Sequence, residues 1–108
     1  MEQIVIKEKK GANYVLLEVS GVLNSYTYLD FQTMVFSIVK ETNLVIDMEK
    51  ISNLSSSGLG VLLAAYDDAE EAGNKIYIMH PSPIAQKAIE STGFADCFPI
   101  IFSLTEVL

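Results

Sequence analysis

The run Ser55-Ser56-Ser57, followed at once by Gly58-Leu59-Gly60, gathers the groups of this chain best suited to do chemistry. A serine at the start of a helix accepts a hydrogen bond from an orphan backbone N–H and stabilises the helix by about 0.5–2 kcal/mol relative to alanine. One serine suffices for that. Glycines at 58 and 60 need a further reason, because each costs roughly 0.5–1 kcal/mol against alanine inside a helix. Either another segment of the core or a partner approaches that backbone closely. A serine here also suits reversible phosphorylation. A phosphate adds about −1.5 to −2 charge, which the positive end of the helix dipole and its free N–H groups accept without unfolding the domain. The charge then acts outward, against any partner surface built for a neutral hydroxyl.

The other reactive side chains are isolated. His80, the single histidine, directly precedes Pro81 and reads as a loop residue. Cys97, the single cysteine, sits in Asp96-Cys97-Phe98-Pro99 and reads as a buried spectator; one cysteine forms no internal bridge and suits a reducing, cytoplasmic setting. Ser56, His80 and Asp47 have the residue types of a hydrolytic triad but lack nucleophile-elbow spacing. Gly58-Leu59-Gly60 lacks the third glycine of a dinucleotide loop, and no G-x-x-x-x-G-K-[ST] loop occurs. No metal site and no cofactor motif are read. These features point to a protein-binding module, not an enzyme.

Apolar periodicity supplies the elements that must position the serines. Ile4 to Lys7 and Tyr14 to Val19 flank the polar turn Lys9-Lys10-Gly11-Ala12-Asn13 and predict an opening hairpin; Gly21 then breaks the pattern. A helix is expected from about Tyr26 to Glu41, with more large apolar residues than one stripe needs. A well-covered helix explains that surplus, and a face that meets a partner, a second copy of the chain included, is the other reading. Leu44 to Asp47 reads as a buried central strand, and a loop through Asn53 follows. Leu59, Leu62, Leu63, Tyr66 and Ala69 recur at helical spacing, with Asp67, Asp68, Glu70 and Glu71 as a solvated face. Gly73 is the expected left-handed stop, and Lys75 to Met79 the next strand. Pro81-Ser82-Pro83 introduces a third helix to about Ser91, closed by Gly93; Phe98 to Phe102 reads as a last strand, and Ser103 to Leu108 as at most a short terminal helix. A hairpin followed by helix–strand alternation is an α/β domain with a mixed sheet and parallel crossovers.

With 108 residues the chain fits a single domain, 1–108, that needs no disulfide or metal for stability. It carries 14 acidic and 7 basic residues, the latter all lysine, for a formal charge of −7. That balance argues against nucleic acid, which is held by clusters of Lys and Arg, and against an anionic membrane surface. No apolar run approaches the ~20 residues of a spanning helix, and MEQIVIKEKK lacks the layout of a signal peptide.

In order along the chain, Ser20-Gly21-Val22-Leu23-Asn24, Leu44-Val45-Ile46-Asp47-Met48, Leu54-Ser55-Ser56-Ser57-Gly58-Leu59-Gly60, Thr92-Gly93-Phe94 and Phe98-Pro99-Ile100 resemble the segments of STAS domains, specifically of the bacterial anti-sigma-factor antagonists. The likeness covers nearly the whole chain from Tyr14 onward. It implies a mixed sheet flanked by helices and a partner-switching function in transcription regulation: the unmodified antagonist binds an ATP-using anti-sigma or related serine kinase and frees the sigma factor. The kinase then phosphorylates the antagonist, and a PP2C-type phosphatase reverses this. Position by position, the resemblance makes Ser56 the phosphate acceptor and Ser57 the next candidate. Asn24, Asn53, Leu54, Ser55, Ser57, Gly58 and Gly60 become the partner-binding residues. Two positions depart from the family pattern. Ser55 stands where the family has an aspartate before the acceptor, and Asn24 where an aspartate commonly follows the glycine motif; both remove negative charge beside Ser56. The alternative expectation is a non-phosphorylated STAS adaptor or scaffold subunit of a transporter or signalling complex, whose serines only cap and pack. A hydrolase using Ser56 is the third reading.

Overall fold

The first segments are rich in β-branched and other apolar residues, and in the structure, a computed structural model describing residues 3–107, they form a hairpin. Strands β1 (Ile4–Lys10) and β2 (Tyr14–Leu23) pair antiparallel from Ile4↔Gly21 to Lys10↔Val15. β1 is a sheet edge, and Lys7, Lys9 and Lys10 on it discourage pairing with another chain. Gly21 does not end β2 as the sequence suggested. The strand passes through it at φ 97°, a left-handed conformation glycine tolerates, and the register against the next strand shifts there.

Three helical crossovers follow: α1 (Tyr28–Val39) to β3 (Asn43–Leu54), α2 (Ser56–Ala72) to β4 (Ile76–Met79), and α3 (Pro83–Ser91) to β5 (Ile100–Ile101). The strands lie in the order β1-β2-β3-β4-β5, with β2 to β5 parallel. β1 extends through Lys9 and Lys10, read above as part of the turn, and two later elements also differ from expectation. β3 runs on to Leu54 through residues 48–53, read above as a loop, because the long β2 still offers backbone partners at Lys50, Ile51, Asn53 and Leu54. The last strand has only Ile100 and Ile101; a 3₁₀ turn at Ala95–Cys97 precedes it, and another at Leu104–Glu106 follows. Met1, Glu2 and Leu108, which the domain limits and the terminal helix included, lie outside the described residues.

The helices share one face of the sheet. Phe31, Val35 and Val39 of α1, Leu62 and Ala65 of α2, and Ala85 and Ile89 of α3 pack with Leu17, Leu44, Ile46 and Ile78 into one core. Each such large side chain contributes about 1.5–3 kcal/mol on burial. On the opposite face Leu16, Val45, Tyr77, Met79 and Ile101 pack with Val107, Leu104 and Tyr14. The surplus apolar residues of the first helix are thus mostly covered, but Tyr26 and Leu29 at its head stay exposed, at 86% and 63%. Gly73 closes α2 in the left-handed region at φ 76°, as expected, and Ser82 caps α3 by accepting from the N–H of Ala85. Cys97 is half-buried where full burial was expected. Among the described residues no helix is long and apolar enough to cross a membrane.

Candidate functional site

Two parallel strands deliver the site. β2 and β3 end in register at Leu23↔Leu54, so the chain leaves the sheet twice at one edge, into the Asn24 loop and into the head of α2. The N–H of Ser55 donates to the Leu23 carbonyl at 2.9 Å and ties the two exits together. Crevices at the carboxyl ends of parallel strands are where α/β folds place their binding sites.

Asn24 is buried and shapes its loop. Its Oδ1 accepts from the N–H of Tyr26 at 2.8 Å, its N–H donates to Thr27 Oγ1 at 2.9 Å, and the Thr27 hydroxyl donates to the Val22 carbonyl at 2.8 Å. Its Oδ1 therefore serves the turn. What this turn displays is Ser25 and Tyr26, both exposed.

At the head of α2 the three serines take three environments. Ser55 is the N-cap residue, extended at φ −90° and ψ 176°, and its carbonyl accepts the first helical bond from Leu59 N–H at 3.0 Å. Its side chain does not cap. The Oγ is buried with no hydrogen-bond partner among the described residues. Ser56, the first helical residue, is exposed. Ser57 is half-buried and turns into an open groove of about 530 Å³ between α1 and α2, with Tyr28, Gln32, Phe36, Gly60 and Ala64. No acidic side chain occupies the first turn, so the positive end of the helix dipole beside the Ser56 hydroxyl has no carboxylate of its own helix to offset it.

The two glycines have different reasons. A methyl on Gly58 would lie 2.7 Å from Leu23 Cγ and 2.8 Å from Leu54 Cδ1, so the backbone must press onto the core there. A methyl on Gly60 would have nothing within 4 Å, and that position is open surface along the groove. Of the two readings left by the sequence, core contact accounts for Gly58 and does not account for Gly60. Leu54 is buried, and Asn53 is exposed.

The triad residues do not assemble as a triad. His80 follows β4 with its Nε2 against the Phe102 carbonyl at 2.9 Å and its Nδ1 3.8 Å from Glu49 Oε2. Neither ring nitrogen is thus paired with a serine among the described residues. Folding instead brings Asp47, Glu49 and His80 together, their ligand-type atoms within 4.8 Å of one another. That grouping was not legible in the sequence, where Glu49 lay in an expected loop 31 positions from His80.

The chain belongs to the STAS domain family, whose model matches residues 3–107. Its fold is that of several solved antagonists. The anti-sigma factor antagonist SpoIIAA in its unphosphorylated form superposes with a TM-score of 0.78 at 16% identity, over 94% of this chain and 91% of that one. The phosphorylated form of the Bacillus cell fate determinant SpoIIAA gives 0.73 at 17%, over 94% and 95%. An anti-sigma factor antagonist from Mycobacterium paratuberculosis gives 0.79 at 24%, over 96% and 90%.

Proposed function

We propose that this protein is a cytoplasmic anti-sigma-factor antagonist that works by partner switching. The head of α2, together with the Asn24 loop, docks an anti-sigma or related serine kinase while Ser56 carries a free hydroxyl. The observation that carries this reading is the division of labour among the serines: Ser56 is exposed at the first helical position, whereas the Ser55 oxygen is buried. An enzyme can reach Ser56 without disturbing the core. In the transfer, Ser56 Oγ bonds to the γ-phosphorus of ATP, the bond from that phosphorus to the β–γ bridging oxygen breaks, ADP leaves, and the hydroxyl proton passes to a base of the kinase. The product is a dianion at a helix start whose N–H groups tolerate it, so the fold persists while a surface matched to the neutral hydroxyl is repelled. A PP2C-type phosphatase restores the hydroxyl. Solved relatives in phosphorylated and unphosphorylated forms support the reading.

One observation favours an adaptor instead. The position before Ser56 is serine with its oxygen turned inward, so no carboxylate stands beside the acceptor. Phosphosite mapping of protein recovered from its native cells across growth and stress shifts separates the two. The antagonist reading expects phosphate on Ser56 in at least one condition; residues 55–57 free of phosphate in all of them would favour the adaptor.

A further inference from the structure

Asp47 and Glu49 lie two residues apart on β3, at the irregularity in its pairing with β2 opposite Glu18 and Ser20, and His80 follows Met79, the residue paired with Asp47. Their ligand-type atoms lie within 4.8 Å of one another. His80 decides what this grouping is suited to hold. Its Nε2 lies 2.9 Å from the Phe102 carbonyl, which only accepts, so Nε2 carries the ring proton. In the neutral ring Nδ1 then presents a lone pair, and it points to the Glu49 carboxylate at 3.8 Å. A lone pair facing anions is repulsive unless a second proton on the ring or a metal cation stands between them. Fixing one imidazole nitrogen on a backbone carbonyl so that the other faces a cation is also how proteins orient a metal-ligating histidine.

We propose that Asp47, Glu49 and His80 Nδ1 form a binding site for a divalent transition-metal ion, with Zn²⁺ the best match to one imidazole and two carboxylates. Ligands at about 2.1 Å from one ion sit roughly 3.4 Å apart in tetrahedral geometry, so atoms now within 4.8 Å of one another close by up to about 1.4 Å on loading. Glu49, an exposed side chain, provides that movement. The fourth position is left for water. Mg²⁺ gains nothing from the imidazole and should bind far more weakly.

The test titrates the full chain with ZnCl₂, and separately with MgCl₂, by calorimetry, while ¹⁵N NMR follows the single imidazole. Expected are one Zn²⁺ per chain, a shift of His80 Nδ1 with Nε2 still protonated, and no comparable Mg²⁺ binding. His80→Asn suits the left-handed φ of 48° at this position, and Asp47→Asn and Glu49→Gln keep side-chain shape. Each should weaken Zn²⁺ by more than about tenfold, while Cys97→Ser leaves it unchanged. Millimolar ZnCl₂ that leaves Nδ1 unshifted, a shift at Nε2 instead, or binding that survives His80→Asn and disappears in Cys97→Ser overturns the site. The NMR result on the unaltered chain decides even if a variant folds poorly.

Discussion

Gly58 stands so close to Leu23 that a single added methyl would come within 2.7 Å of its Cγ. The head of α2 is therefore seated on the strand that ends in the Asn24 loop, and the N–H of Ser55 bonded to the Leu23 carbonyl fixes the same junction from the backbone. Ser56 is presented outward because its neighbours are held inward. A rigid base under an exposed hydroxyl lets a change of charge be read by a partner without being absorbed by the fold.

Substitution of the two glycines should separate packing from helix propensity. Gly58→Ala gains about 1 kcal/mol of helix propensity but crowds Leu23 and Leu54, a cost of roughly 1–3 kcal/mol, so it destabilises on balance. Gly60→Ala meets open space and should stabilise by about 0.5–1 kcal/mol. Urea unfolding midpoints are expected to move in opposite directions. Equal shifts would contradict the packing described here.

The two helix-start serines should respond unequally to alanine. Ser82 Oγ accepts from the N–H of Ala85 at 3.1 Å and donates to the Ile51 carbonyl at 2.9 Å, so Ser82→Ala should cost about 1–2 kcal/mol. Ser55 Oγ is buried without a partner among the described residues, so Ser55→Ala removes an uncompensated polar group and should be neutral or stabilising. Thermal unfolding of both variants checks this. A Ser55→Ala loss as large as that of Ser82→Ala would show that the Ser55 hydroxyl caps after all.

Alkaline pH should weaken the protein through Tyr66. A hydrogen bond to the Glu70 carboxylate, and then the like charge of that carboxylate, raise the phenol above its ordinary 10.0. The folded state thus keeps a proton that the unfolded chain gives up. The resulting stability is complete below about pH 10 and is lost as pH rises through the folded value. Glu70→Gln should move the last part of the tyrosine difference absorbance to lower pH and flatten the decline. A titration curve identical to that of the unaltered chain would exclude Glu70 as the cause.

The alternation of helix and strand was readable because apolar period and punctuation agree: Gly73 ends α2 in the left-handed region, and Pro83 opens α3 behind the Ser82 cap. The extension of β3 was not. Met48-Glu49-Lys50 looks like a loop in sequence and becomes strand because β2 runs alongside it, with a register irregularity between Glu18 and Ser20. The last strand shortened for the opposite reason, since only Ile100 and Ile101 find partners on β4. At the candidate site the serine run and its placement at a helix start were legible from residue types. The inward turn of Ser55, the work of Asn24 inside its own loop and the different reasons for Gly58 and Gly60 depend on long-range contacts that spacing does not encode.

The most direct measurement is the affinity of one purified ATP-using partner kinase for the unaltered chain, Ser56→Ala and Ser56→Asp, alongside their thermal midpoints. An acid at the first helical position favours the helix dipole by about 0.3–1 kcal/mol, so Ser56→Asp should fold at least as stably as the unaltered chain. The account predicts that it nevertheless loses at least about tenfold in affinity, some 1.4 kcal/mol, while Ser56→Ala keeps most of it. Equal affinity of the unaltered chain and Ser56→Asp, both folded, would contradict it.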